Sequence, residues 1–218
     1  MTISFFQEEL EAIYGVRAPR VVDYLIDREG ARASVGDEPR APEVLLVRES
    51  AEGLELGLFL DDAIVEATSA ADPHDPRPLL TAASALPRVA CAAEGVSHFV
   101  YLATRAAAGG RVSLLELEVQ AEVDKFALLL LHLWRRGLRK LSPALRRRLY
   151  ERVRYHAFLG EDALERYRLA NRLGGGYARW LEDEFVHEAD VEGLLRELRA
   201  TYRLGGGEKI GYLGARAT

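Results

Sequence analysis

Glu118, Glu122 and Lys125 stand four and three residues apart in the stretch LLELEVQAEVDKFALLLLHLW, residues 114–134. At helical spacing these three side chains share one face and can meet. His132 falls on the same face. Two carboxylates beside an ammonium form a general acid–base set whose pKa values proximity can shift. The same carboxylates are also metal ligands, with the lysine in support. A second stripe, Glu94, His98, Tyr101 and Arg105, runs at spacings of four, three and four. A glutamate and a histidine at i,i+4 can hold one metal, or pair so that the carboxylate tunes an imidazole base. Glu94, His98, Glu118, Glu122 and Lys125 are therefore the candidate catalytic residues. The sequence does not name a metal. The competing expectation for each stripe is an ordinary solvated helix face, because exposed ion pairs contribute little.

The elements that must carry these residues are two long helices, over 88–108 and 113–136. Val89, Ala92, Val96, Phe99 and Ala103 line the apolar side of the first. Val119, Val123, Phe126, Leu130 and Leu133 form a ridge on the second. From Phe126 to Trp134 the second helix is apolar on nearly every side, so it must be buried. Its first half carries Glu116, Glu118, Glu122, Asp124 and Lys125 on the same rod. Charges forced toward a core are costly unless paired, so this half is the best pointer to function. The short Gly109-Gly110 link makes the two helices antiparallel neighbours.

The net charge of −5 hides a strong asymmetry. Residues 1–134 balance to −11, residues 135–180 to +9 and residues 181–218 to −3. The basic block holds a candidate anion-binding set, Arg147, Arg148, Arg152, Arg166 and Arg172. Guanidinium groups so clustered can grip phosphates. The interleaved Tyr150, Tyr155 and Tyr167 can stack on bases. A nucleic-acid partner is nevertheless not favoured. No module signature is present, and the pI of about 5.7 is wrong for a dedicated DNA binder. The alternative fate of the block is to face the chain's own acidic helices or water.

Weaker patterns carry less. Glu184-Phe185-Val186-His187 matches the Glu-x-x-His pair of di-iron bundles, but only one good copy exists. His187 reads better as a surface residue at a helix end. Gly174–Gly176 marks a kink, a break or a close helix crossing. Gly205–Gly207 lacks the P-loop pattern and reads as a helix C-cap. Cys91, in VACAA, reads as a packed small residue. His74, in DPHDP, reads as an exposed loop residue. The single cysteine excludes an internal disulfide and a multi-cysteine zinc site.

The N-terminal part offers a short helix over 3–14 and strands over 21–27, 44–48 and 54–60. The last two are joined by a hairpin loop at Glu49–Gly53. In LELGLFL, leucines 54, 56, 58 and 60 alternate with Glu55, Gly57 and Phe59, a half-buried pattern. The Pro-rich stretch 69–78 reads as a linker, and helices are expected over 79–86, 88–108, 113–136, 143–158, 162–186 and 190–204. Ser142 is the expected N-cap of the fourth and Asp190 of the last. The tail after Gly207 is expected as a short strand or loose chain.

The expected fold is α+β: a small N-terminal antiparallel sheet with one helix, then a bundle of five to six α-helices. The expected organisation is residues 1–70, a linker at 71–78, and a helical domain at 79–218. No run approaches the roughly 20 apolar residues of a membrane span, so a membrane is not an expected partner and the cytoplasm is the natural compartment. Two functions fit. One is a non-enzymatic binding or regulatory protein whose arginine-rich helices engage an acidic protein face or a phosphate-bearing ligand. The other is an enzyme, with metal-assisted hydrolysis as a reaction class, whose site lies between the 88–108 and 113–136 helices.

Overall fold

The computed structural model describes residues 1–50, 53–81 and 85–217. The chain is α+β, with a three-stranded sheet near the N-terminus and a C-terminal bundle of about seven helices among the described residues. Helix α1 spans Ile3–Tyr14 and starts at Thr2, whose hydroxyl accepts from the Phe5 N–H. It stops at Gly15 in the left-handed conformation that glycine adopts without penalty.

The expected strand over 21–27 is mostly a 3₁₀ turn, Val21–Tyr24. Val21 is fully buried, and its N–H donates to Gln7 Oε1 of α1 at 2.8 Å. That anchor bends the chain, so only β1, Leu25–Ile26, extends. Strand β1 pairs parallel with β3, Gly53–Leu60, which pairs antiparallel with β2, Glu43–Ser50. The sheet is therefore mixed, in the order β1-β3-β2, where an antiparallel sheet was expected. Residues 51 and 52 of the expected hairpin loop lie outside the described residues, as do 82–84 of the expected 79–86 helix. Strand β3 does not alternate between faces as its leucines suggest. Leu54 at one end is exposed, whereas Leu58, Phe59 and Leu60 are all buried. Both strands are exposed over residues 47–50 and 53–55 and covered toward the other end of the hairpin.

Two helices lie where no element was expected. Helix α2, Arg28–Val35, is capped by Asp27, and α3, Asp62–Ala70, by Asp61. Each aspartate accepts a first-turn N–H, which is the reason aspartate favours that position. Helix α3 occupies the start of the expected linker, and α4, Arg77–Thr81, occupies its end.

Helices α5, Ala85–Ala107, and α6, Leu114–Arg135, lie close to their expected bounds. Contacts from Glu94 to Lys125, Ser97 to Asp124 and Tyr101 to Glu116 run in opposite directions along the two, so they are antiparallel. Helix α7, Ser142–Tyr150, is shorter than expected. Residues 151–160 leave the helix through Val153, Tyr155 and His156, poor helix formers, before Gly160 opens α8. Ser142 is a buried first-turn residue rather than a cap, because the 3₁₀ turn Arg139–Leu141 runs straight into α7.

Helix α8, Glu161–Leu181, continues as a π-helical turn at Glu182–Val186. Asp190 caps α9, Val191–Arg203, as expected. Gly205 is not the C-cap of α9, a place taken by Leu204; it opens α10, Gly206–Arg216. The tail is thus a helix rather than a strand or loose chain. Its leucine, Leu213, is fully buried and belongs to the main core.

One core runs through both parts of the chain. Phe6 and Leu10 from α1 and Leu58 from β3 join Phe99, Phe126, Leu130, Tyr177 and Leu213. Each large apolar side chain so buried stabilises the fold by about 2–3 kcal/mol. No helix among the described residues is long and apolar enough to cross a membrane.

Candidate functional site

The charged half of α6 is buried, not solvated. Glu116, Glu118, Gln120, Glu122, Asp124 and Lys125 all lie inside. The helix does not bury them on one face. Alternate sides enter two separate polar centres, each closed by different neighbours.

The first centre holds all five candidate catalytic residues. His98 on α5 points between Glu118 on α6 and Glu43 at the start of β2. Its Nε2 lies 3.6 Å from Glu118 Oε2, too far for a good hydrogen bond. Its Nδ1 lies 3.4 Å from Glu43 Oε1. Lys125 Nζ donates to Glu94 Oε2 and to Glu122 Oε1, each at 3.0 Å. Arg166 of α8 closes the far side, its Nε 3.8 Å from Glu118 Oε1. Each of Glu94, His98 and Glu118 offers one ligand atom, and these atoms all lie within 4.8 Å of one another.

Three buried polar atoms here have no hydrogen-bond partner: His98 Nε2, Glu122 Oε2 and Arg166 Nε. Such atoms are rare in folded proteins because each costs its full desolvation. Electrostatics follow the same lines. Burial opposes a charge on His98, but Glu43 and Glu118 outweigh it and hold the imidazole well above its ordinary value. Burial likewise opposes the Lys125 charge, and Glu122 and Glu94 more than restore it. Glu94 titrates below the usual carboxylate range, because Lys125 and His98 overcome its burial. Burial raises Glu43 and Glu122.

Solvent reaches this centre through a cleft of about 170 Å³. Glu94, Glu122 and Lys125 form its polar floor, and Tyr155, Phe158 and Tyr167 supply aromatic walls. Cys91 also lines it, so this residue is at a cleft wall and only half-buried. Burial pushes its thiol up, which keeps it a poor nucleophile.

Glycines let these elements approach. A Cβ on Gly174 of α8 would stand 2.6 Å from Glu122 Cβ, so the triplet at 174–176 marks a close helix crossing inside an unbroken helix. A Cβ on Gly95 would stand 2.8 Å from Glu43 Cγ. Gly95 thus lets Glu43 lie against α5 beside His98. Glu43 was not among the sequence candidates, and only the Glu94-Gly95 dipeptide hinted at a close approach there.

The second centre takes the other buried polar residues of α6, with Tyr101 and Arg105 of α5. Asp124 accepts hydrogen bonds from Tyr14, Ser97 and Gln120. Gln120 Oε1 accepts from Lys209 of α10, whose Nζ also donates to the Tyr101 hydroxyl at 2.7 Å. Tyr101 in turn donates to Glu116 Oε1 at 2.6 Å. Tyr101 and Arg105 therefore leave the Glu94–His98 stripe and serve this network instead. Burial pulls Lys209 down to about 7. Sequence reasoning did not single out Lys209, which sits in a tail with no visible apolar period. His132 belongs to neither centre. It packs edge-on against Phe5, and burial with Arg136 and Arg135 nearby lowers it to about 4.

The arginine set is divided by the fold. Arg166 faces the first centre. Arg148 donates to the Leu80 carbonyl, while Arg147 and Arg152 are exposed. Arg172 lines a different cavity on the other side of α8. Glu184 and His187 are exposed at the end of the α8 rod, as is His74 in its loop. The chain matches no known family model, no curated protein and no solved structure.

Proposed function

We propose that Glu94, His98 and Glu118 hold a divalent metal ion and that the protein is a metal-dependent enzyme of the hydrolytic class. The observation that carries this reading is His98 Nε2, buried without a partner and ringed by carboxylates. Ligand atoms at about 2.0–2.2 Å from one ion stand about 3.4 Å apart, so side-chain movements of about 1 Å would complete the set. Glu43 at His98 Nδ1 fixes the ring orientation, the role a carboxylate plays behind many metal-bound histidines. One nitrogen with two carboxylate oxygens suits zinc, iron or manganese.

The roles of the remaining groups follow from their contacts. The ion would polarise a substrate oxygen or bound water. Glu122 keeps Oε2 free, faces the cleft and has its pKa raised by burial, so it is the general base. Lys125 holds Glu122 and Glu94 apart in fixed positions. The aromatic walls admit a small substrate. The non-enzymatic reading rested on one arginine-rich face, and the dispersal of Arg148, Arg166 and Arg172 weakens that face.

The test is titration of metal-free protein with zinc, manganese and cobalt(II), followed by calorimetry and by the visible spectrum of bound cobalt. One ion per chain is expected, lost in H98A and weakened at least about tenfold in E118Q. Absence of stoichiometric binding, or equal binding by H98A that is still folded, overturns the metal centre. Turnover of ester, amide or phosphoester substrates that needs both the ion and Glu122 supports the hydrolytic class.

A further inference from the structure

A second cavity, of about 410 Å³, opens on the face of α8 opposite the first centre. Arg146, Arg172, Arg179 and Arg216 line it, against two carboxylates, Glu151 and Asp183. Arg146 is answered by Glu151 and Glu182, and Arg216 by Glu197 at 3.9 Å, so the charges left for a guest are those of Arg172 and Arg179. Both acids are already engaged: Glu151 lies 3.4 Å from Arg146, and Asp183 lies 3.6 Å from His187. Volumes of this size hold small-molecule ligands.

The guanidinium groups differ in how they are held. Arg146 is fixed by Glu182 Oε2 at 2.6 Å. Arg216 is stacked, its guanidinium carbon 3.6 Å from the Tyr212 ring centre and 4.6 Å from that of Trp180. These two are preorganised at the walls. Arg172 and Arg179 are exposed and form no ion pair among the described residues. They stand seven residues apart on α8, two turns, and both reach the cavity mouth. Beside them Asn171 Nδ2 is buried without an acceptor; Arg216 Nε also lacks a hydrogen bond but lies 3.9 Å from Glu197 Oε1. Both orphaned atoms are donors. An asparagine inside a helix carries a propensity cost, so a buried amide left without an acceptor calls for an external one. The missing partner of Asn171 Nδ2 is therefore a hydrogen-bond acceptor, and the two arginines beside it favour one with negative charge.

We propose that this cavity binds a small phosphorylated molecule, with Arg172 and Arg179 clamping the phosphate oxygens and Asn171 Nδ2 donating to one of them. A phosphate group matches the planar donor forks of two arginines better than a single carboxylate does. The site is separate from the metal centre and does not depend on it.

Inorganic pyrophosphate, titrated by calorimetry with a chelator present, is the probe. Sub-millimolar binding is expected at low salt, weakening as salt rises. R172A/R179A should weaken it about tenfold or more with no change in melting temperature, because both side chains are exposed. N171A reports the buried donor and should weaken it by a smaller factor. H98A should bind pyrophosphate as the wild type does, which separates this site from the metal centre. No binding at about 1 mM pyrophosphate, or equal binding by R172A/R179A, overturns the proposal. So does tighter, arginine-dependent binding of a glutamate-rich peptide, which would make the surface a protein-docking one.

Discussion

Gly174→Ala is the substitution whose cost the geometry fixes best. Its Cβ would stand 2.6 Å from Glu122 Cβ and 3.2 Å from Tyr150 Cε1. Carbon atoms pack at about 3.5–4.0 Å, so α6 and α8 would have to separate by about 1 Å. The obstructing atom is one bond from the α6 backbone and cannot swing aside. Overpacking of this kind costs about 1–3 kcal/mol. Alanine returns about 1 kcal/mol of helix propensity, and the stiff contact places the cost toward the upper end, so a net loss of about 1–2 kcal/mol remains. For a chain of this size that lowers the melting temperature by about 2–8 °C. Gly211→Ala in α10 is the matched comparison. Nothing lies within 4 Å of its Cβ and the residue is exposed, so it should gain about 0.5–1 kcal/mol. Urea unfolding of both variants, with m-values shared, measures the contrast. Metal affinity should also fall in G174A, because Glu118, one of the three proposed ligands, moves with α6. A G174A protein as stable as the wild type would refute the close-crossing account of the glycine triplet.

Three further expectations follow from the polar centres. Lys209 binds its proton more weakly folded than unfolded, between about 7 and the ordinary lysine value, so the unfolded chain holds more protons there and stability rises with pH. Between about pH 7 and 9.5 the wild type should gain on K209M by up to about 1.4 kcal/mol per pH unit; a pH-independent difference in urea midpoints refutes this. E43Q should lower the titration of His98, read by NMR of the ring carbons, because the Glu43 charge helps hold that imidazole up. An unchanged His98 titration would remove Glu43 from the site. D124A should cost on the order of 3 kcal/mol, because it strips the acceptor from Tyr14, Ser97 and Gln120 together. S97A should cost about 1 kcal/mol, and equal losses in the two would show that Asp124 is not the hub.

Much of this was legible in the sequence, for identifiable reasons. Periods of 3.6 over long spans locate α5 and α6 because their apolar ridges are regular and their link is short. Helical spacing also groups Glu94 with His98, and Glu118 with Glu122 and Lys125, since spacing along one helix is a local property. What each group faces is not local. The same stripe that carries Glu94 and His98 carries Tyr101, and one turn further along it meets Glu116 and Lys209 instead. Glu43 enters from a strand more than 50 residues away, and only Gly95 permits it. Helices α2 and α3 lack apolar period, and their aspartate caps were the signals to read. The strand over 21–27 failed because a tertiary hydrogen bond from Val21 to Gln7 overrides its alternation.

The two centres on α6 differ in a way that separates structure from function. Around Asp124 two carboxylates, Asp124 and Glu116, meet two cations, Lys209 and Arg105. Fully ionised, that network is neutral, and Asp124, Gln120, Tyr101 and Lys209 are each hydrogen-bonded within it as it stitches α1, α5, α6 and α10, with Arg105 Nε left without an acceptor. Around His98 four carboxylates, Glu43, Glu94, Glu118 and Glu122, meet Lys125 and Arg166. Fully ionised, that centre carries two negative charges in excess with a neutral imidazole, and one with His98 protonated. Its donors and acceptors are also incomplete. A buried excess of this size is costly unless a counter-charge enters. A proton on His98 supplies half of it. A divalent cation that displaces that proton supplies all of it and uses Nε2, the orphaned atom. The charge count and the hydrogen-bond count are independent, and both leave room for the same guest.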